Sequence, residues 1–168
     1  IRGRPRIRVE PERRHMPVEI TQAYEHMEDV RALFEEYTSA LGLDLSYQNY
    51  AEEFAGLPGR YAPPDGGLYV ALCGGAAAGC VAFRRFDAER CEMKRLYVRA
   101  PLRGLGAGKA LAERAIRDAR AAGYRFMLLD TLASMESAMK LYQSLGFVEI
   151  APYYETPVEG TRFLRLPL

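Results

Sequence analysis

Apolar and polar positions along the chain fall into blocks whose period changes several times, and each change marks a new element. PVEITQA, from Pro17, has strand character, after which Met27, Val30, Leu33, Phe34, Tyr37 and Leu41 recur at helical spacing until Gly42 closes the run. Tyr47, Tyr50, Ala51 and Phe54 form a second, shorter helical stripe with Ser46 as its N-cap, and LPGRYAPPDGG behind it reads as loop. LYVALC, AAGCVAFRRF and CEMKRLYV, separated by Gly74-Gly75 and by a break near Asp87–Arg90, predict an antiparallel meander of three strands. Beyond Pro101 the period is helical again: Leu111, Ala115, Ile116, Ala119 and Ala122 share a face, and Gly123 ends it. FMLLD predicts a buried strand. Ser134 then caps a helix carrying Met135, Ala138, Met139, Tyr142 and Leu145, Gly146 stops it, and strands near Phe147–Ile150 and Arg162–Leu166 follow. The order β-α-α-β-β-β-α-β-α-β-β, without internal repeat, predicts a single domain over residues 17–168. Its class is α/β (α+β), a mixed central sheet with flanking helices.

Composition narrows the function classes. The 168 residues are 49% hydrophobic, enough for a sizeable core. Basic and acidic residues nearly cancel, 23 against 22, so no global charge marks a nucleic-acid-coating protein. Residues 1–16 depart from this balance, with six arginines against Glu10 and Glu12. This basic N-terminal extension lacks apolar periodicity and is expected to be disordered or an appended tail, with an anion or nucleic-acid contact as the functional alternative to a solvated arm. Cys73, Cys80 and Cys91 lie in apolar stretches without a Cys-x-x-Cys pair, and His15 and His26 have no metal-ligand spacing near them. Buried, reduced thiols are expected, with no metal site. No apolar run reaches the ~18–20 residues needed to span a bilayer and no secretory signal is legible, so no membrane partner and a cytoplasmic location are expected.

The most informative stretch is Arg103-Gly104-Leu105-Gly106-Ala107-Gly108-Lys109, placed between a strand and a helix. Glycines there let backbone N–H groups approach a ligand while the following helix points its positive end the same way, a setting for a phosphate. A Walker A loop would need glycine where Arg103 stands and Ser or Thr where Ala110 stands. A dinucleotide fingerprint begun at Gly104 or Gly106 would need its third glycine at Lys109 or Leu111. Both motifs fail.

Arg103-x-x-Gly106-x-Gly108 after a strand ending Leu96-Tyr97-Val98, followed by Ala138-x-x-Leu141-Tyr142-x-x-x-Gly146-Phe147, resembles the GCN5-related N-acetyltransferase (GNAT) family. The two motifs span roughly residues 90–150, and the element order extends the likeness over 17–168. The resemblance implies acetyl-CoA as co-substrate. It would be bound by Arg103, Gly104, Leu105, Gly106, Ala107, Gly108 and Lys109, with Ala138 alongside and the pantetheine arm pairing with the strand edge at Leu96, Tyr97 and Val98. An independent hint lies in the strand itself: Cys91 and Met93 are apolar on the odd phase, Leu96 and Val98 on the even one. That slip predicts a β-bulge near Lys94–Arg95, a device that opens strands beside active sites.

Acetyl transfer to an amine also needs proton handling. An ammonium of pKa ~10.4 is neutral in only about one molecule in 2,500 at pH 7, a deficit of about 4.6 kcal/mol that a base helps recover. Glu92 is the candidate base, acting directly if burial raises its pKa or through a water relay; a salt-bridged glutamate beside Lys94 and Arg95 is the open alternative. Tyr142 aligns with the family tyrosine that donates to the departing CoA sulfur, though it also lies on the apolar stripe of its helix. Met135 stands where many family members carry an asparagine. The acceptor side would be formed by Tyr47, Tyr50, Tyr61, Tyr153 and Tyr154 with Arg60, aromatic walls that point to a small or amino-acid-like primary amine, which would attack the acetyl group directly in a ternary complex. A non-catalytic CoA-binding module and a protein or peptide acetyltransferase remain as alternatives, and a homodimer is open because related folds often pair.

Overall fold

The computed structural model describes residues 17–168, so the basic extension and its contacts lie outside the described residues. Seven strands form one mixed sheet: β1 (Val18–Gln22), β2 (Gly67–Cys73), β3 (Ala76–Arg85), β4 (Arg90–Val98), β5 (Phe126–Leu132), β6 (Val148–Ile150) and β7 (Thr161–Pro167). Their spatial order is β1-β2-β3-β4-β5-β7-β6. Four helices flank it: α1 (Met27–Leu41), α2 (Tyr50–Ala55), α3 (Ala107–Ala121) and α4 (Glu136–Ser144). Element order and sheet class agree with the sequence pattern.

The central strands read as almost continuously apolar because both faces of the sheet are covered. On one face Tyr69, Ala71, Val81, Phe83, Cys91 and Met93 pack under α3, whose Leu111, Ala112, Ala115 and Ala119 are fully buried. On the other, Leu68, Val70, Cys80 and Ala82 pack against Val30, Leu33 and Phe34 of α1. Cys73, Cys80 and Cys91 are free and buried in these layers.

Four local details differ from the pattern. Ser46 begins a 3₁₀ turn (Ser46–Gln48) instead of capping α2, whose N-cap is Asn49 at φ +55°. The segment expected as plain loop contains a second 3₁₀ turn over Gly59–Tyr61, and Tyr61 is core, 1% exposed, its hydroxyl on Glu53 at 2.7 Å. Ala122 is exposed at the end of α3, just before Gly123 takes φ +96°. Ser134 lies one residue too early to cap α4, whose N-cap is Met135 without a side-chain hydrogen bond.

The bulge is present at the expected place. Ala82 pairs with Lys94 and Cys80 with Tyr97, so β4 holds one residue more than β3 over that step, and Arg95 sits at φ +61°. A non-glycine residue in this region costs on the order of 1–2 kcal/mol. The arginine side chain offsets it by bonding Glu53 Oε2 at 3.0 Å and Gln48 Oε1 at 2.8 Å. The bulge also ends a pairing: β4 and β5 run parallel only from Arg90–Phe126 to Glu92–Leu128, after which the strands separate.

Candidate active site

The separation of β4 from β5 opens a groove of about 980 Å³. Of the residues expected to hold a cofactor, Leu96, Tyr97, Val98, Arg103, Gly104, Gly106, Ala107, Gly108, Lys109 and Ala138 line it; Leu105 does not. Gly104 and Gly106 adopt φ +84° and +83°, and a Cβ at either would meet nothing within 4 Å, so backbone conformation rather than crowding calls for glycine there. The first backbone N–H bonded into α3 is that of Ala110, to Gly106 O. The N–H groups of Gly104 to Lys109 therefore have no backbone acceptor among the described residues, and they lie at the positive end of a 15-residue helix. On the opposite wall, β4 beyond Glu92 presents a strand edge without a partner strand. Uncommitted N–H groups at a helix start and a free strand edge fit the diphosphate and amide groups of acetyl-CoA.

The groove continues past Tyr142 into a smaller cavity of about 50 Å³ between α1, the 46–48 turn, β4 and β5. Tyr37, Leu96, Met135 and Tyr142 line both spaces. Tyr142 is 7% exposed and packs edge-on against Phe147 at 5.7 Å. Its hydroxyl makes no hydrogen bond to protein among the described residues. Burial pushes its phenol well above the ordinary range, with the neighbouring Tyr37 and Asp130 adding to the shift, so it remains a donor at neutral pH. Tyr37, not singled out in the sequence, is likewise pushed up, to about 12, chiefly by burial. Its place on the helical stripe of α1 gave it the look of core.

The cavity wall carries more charge than its tyrosines indicate. Lys94 and Asp130 both line it, 3.5 Å apart. Behind them, Glu92 is 4% exposed and accepts from Arg84 Nε at 3.1 Å and from Tyr153 at 2.6 Å, with Lys94 Nζ 4.0 Å away. Glu92 lines neither space. Tyr154 donates to Asp130 Oδ2 at 2.6 Å, so Tyr153 and Tyr154 buttress carboxylates from behind rather than forming the cavity surface. Tyr47 lines the cavity; Tyr50 packs on Phe54 and the Arg95 guanidinium outside it; Arg60 bonds Arg85 O on the exterior. Lys94 and Gln48 were legible as candidates only once the bulge and the 46–48 turn had brought them together.

Burial pushes the Cys80 and Cys91 thiols up to about 12, which leaves them poor nucleophiles. Among the described residues no group of three or more His, Cys, Asp or Glu side chains is placed to hold a metal, and no helix is long and apolar enough to cross a membrane.

Residues 27–147 match the Acetyltransferase (GNAT) family. The chain belongs to the GNAT acetyltransferases. An uncharacterized N-acetyltransferase of Dictyostelium discoideum is 34% identical, over 91% of this chain and all of that one. The N-acetylaspartate synthetase of Danio rerio is 37% identical over 69% of this chain and 43% of its own length. Among solved structures, an acetyltransferase of Streptococcus agalactiae superimposes with a TM-score of 0.74 at 22% identity over 90% of this chain and 98% of that one. An acetyltransferase of Salmonella typhimurium, solved with its cofactor acetyl-CoA, gives 0.64 at 23% identity, covering 89% of this chain and 93% of that one. This GNAT chain is accordingly an acetyl-CoA-dependent N-acetyltransferase, its mixed seven-stranded sheet that of the acyl-CoA N-acyltransferase fold.

Proposed function

We propose that residues 17–168 form an acetyltransferase domain that transfers acetyl to the primary amine of a small, amino-acid-like acceptor by direct attack in a ternary complex. The observation that carries this reading is the hydroxyl of Tyr142, without a protein partner among the described residues, on a buried residue where the large groove meets the small cavity. The N-acetylaspartate synthetase relative, by its name an enzyme that makes an acetylated amino acid, supports the acceptor class.

In this reading the N–H groups from Gly104 to Lys109 hold the diphosphate, with Arg103 at the edge of the turn, its own N–H bonded to Ala100 O; Ala138 packs beside it, and Leu96 to Val98 pair with the pantetheine amides. Acetyl-CoA, when bound, supplies the thioester carbon that the amine attacks and the sulfur that departs. Tyr142 donates its proton toward that sulfur as the C–S bond breaks, and the phenolate recovers a proton as the new amide nitrogen loses one. The other proton, carried by the ammonium before attack, goes to the carboxylate that faces the cavity, Asp130. Glu92 stands one layer behind and acts through its contacts with Lys94 and Tyr153, as a relay or a fixed charge. Tyr47 closes the acceptor cavity, while Tyr50, Tyr153 and Tyr154 hold its outer frame.

The test is a calorimetric titration of ligand-stripped protein with acetyl-CoA, NAD and ATP, followed by free-thiol release with small amines. Selective micromolar binding of acetyl-CoA and amine-dependent thiol release are expected; a preference for NAD or ATP would overturn the reading.

A further inference from the structure

Six charged side chains gather behind and around the acceptor cavity, three acidic (Glu53, Glu92, Asp130) and three basic (Arg84, Lys94, Arg95). Five of them make at least one close contact. Arg95 meets Glu53 at 3.0 Å, Arg84 meets Glu92 at 3.1 Å, and Asp130 accepts from Tyr154 at 2.6 Å. Lys94 is different. Its side chain is 5% exposed, yet its nearest acceptors are Gln48 Oε1 at 3.4 Å, Asp130 Oδ1 at 3.5 Å and Glu92 Oε2 at 4.0 Å. Charge-assisted N–H···O bonds run ~2.7–2.9 Å, so none of these contacts among the described residues is a full bond for any of its three donors. Leaving an ammonium this dry and this loosely held is unfavourable unless another anion completes its shell.

The bulge is what puts this ammonium in the cavity wall. Lys94 is the last residue of β4 paired in register before the extra residue, two residues beyond the last pairing of β4 with β5 at Glu92. The cavity is small, about 50 Å³ against about 980 Å³ for the groove, so it admits a compact group. Asp130 lines the same space. A cation and a carboxylate 3.5 Å apart in one small cavity are complementary to a molecule that bears the reverse pair close together.

We infer that the acceptor is an amino acid or a close analogue with its carboxylate a few bonds from its amine, and that Lys94 is the specificity residue that binds the carboxylate while Asp130 receives the ammonium. This inference rests on the acetyltransferase reading above and adds to it a required anionic group and the residue that selects for it. An acceptor without the carboxylate would leave the Lys94 donors unpaired, which is the basis of strong discrimination in buried polar sites.

The experiment compares thiol release from acetyl-CoA with the twenty proteinogenic L-amino acids, their C-terminal carboxamides and their decarboxylated amines, using the full chain and Lys94→Met. For the best acceptor, kcat/KM is expected to exceed that of its carboxamide and its decarboxylated amine by at least tenfold. Lys94→Met should raise KM for that amino acid at least tenfold, leave acetyl-CoA affinity unchanged, and erase the preference for acid over carboxamide. Carboxamides or simple amines used as well as the acids would overturn the inference, as would a loss in Lys94→Met that falls equally on acids and carboxamides. Should the variant not fold, which the acetyl-CoA titration reports, the comparison on the unaltered chain decides alone. Absence of acetyl-CoA binding, or of thiol release with every amine, would overturn the acetyltransferase reading as well; turnover confined to carboxylate-free amines overturns this inference, acceptor class and Lys94 role together, and leaves the acetyl-transfer reading standing.

Discussion

In the proposed reading, the polar groups offered on the donor side of Tyr142 are backbone ones: N–H groups of a glycine-rich turn at the start of α3, and the edge of β4 that has no partner strand. On the acceptor side the cleft is lined by side chains, Lys94, Asp130, Gln48 and Tyr47, fixed from behind by Glu92, Tyr153 and Tyr154. Backbone donors suit a ligand that never changes and leave little freedom for variation. Side chains drawn from distant parts of the chain suit a ligand that differs from one relative to the next. Each side can be perturbed without the other.

The largest effect is expected where the donor wall depends on close backbone approach. Gly79 on β3 lies opposite Val98, and a Cβ there would meet Tyr97 O at 2.5 Å and Val98 Cα at 3.2 Å. Neither atom is the end of a flexible side chain, so Gly79→Ala must push the second half of β4 outward. Overpacking of this kind costs about 1–3 kcal/mol, and here it displaces the strand edge that faces the groove. Acetyl-CoA affinity should fall more than thirtyfold and Tm by about 5 °C or more. Full affinity in calorimetry would show that the edge of β4 is not a donor contact.

Tyr142→Phe tests the junction between the sides. It should retain acetyl-CoA affinity and lose at least tenfold in kcat, about 1.4 kcal/mol of barrier. Because burial raises the phenol, Tyr142 stays protonated as pH rises through the ordinary tyrosine range near 10, and the fall in donor capacity is displaced to higher pH. The kcat–pH profile of the unaltered enzyme should therefore show no loss below pH 10 that vanishes in Tyr142→Phe; unchanged turnover in the variant would return Tyr142 to the core.

A smaller effect is expected behind the acceptor wall. Tyr154→Phe removes the 2.6 Å bond to Asp130, a hydrogen bond to a charged group that contributes about 1.5–3 kcal/mol. With Asp130 free to swing toward Lys94, the acceptor KM should rise three- to tenfold while acetyl-CoA affinity stays within error. An equal change in both constants would mean that the two sides are coupled.

This contrast also explains what the sequence revealed. The donor side was readable because its features are local: seven consecutive residues carry the glycine-rich turn, and a one-residue change of phase between Met93 and Leu96 announced the bulge. The acceptor side depends on contacts distant in the chain, such as Lys94 with Asp130, Tyr153 with Glu92 and Arg95 with Glu53, that no local period encodes. Tyrosines could be recognised there as a class, yet which faced the cavity and which stood behind it depended on the turn at 46–48 and on the C-terminal loop. Glu92 was noticed for its place on the strand; that both its oxygens are engaged became visible only with Arg84 and Tyr153 in position.

The smallest effect concerns Met135, which belongs to both sides. It lines the groove and the cavity, its Sδ lies 3.9 Å from Thr131 Oγ1, and it occupies the N-cap of α4 without supplying a capping oxygen. Met135→Asn adds such an oxygen, for which about 0.5–1 kcal/mol is typical, and removes a half-buried apolar chain, which offsets part of it. Tm should accordingly shift by no more than about 3 °C, and acetyl-CoA affinity should change less than threefold, because the donor contacts identified on this side are backbone groups that the substitution leaves in place. A tenfold gain in affinity would instead mean that a side-chain contact is missing from the donor wall, and the division between a backbone-built donor side and a side-chain-built acceptor side would fail at the residue where the two meet.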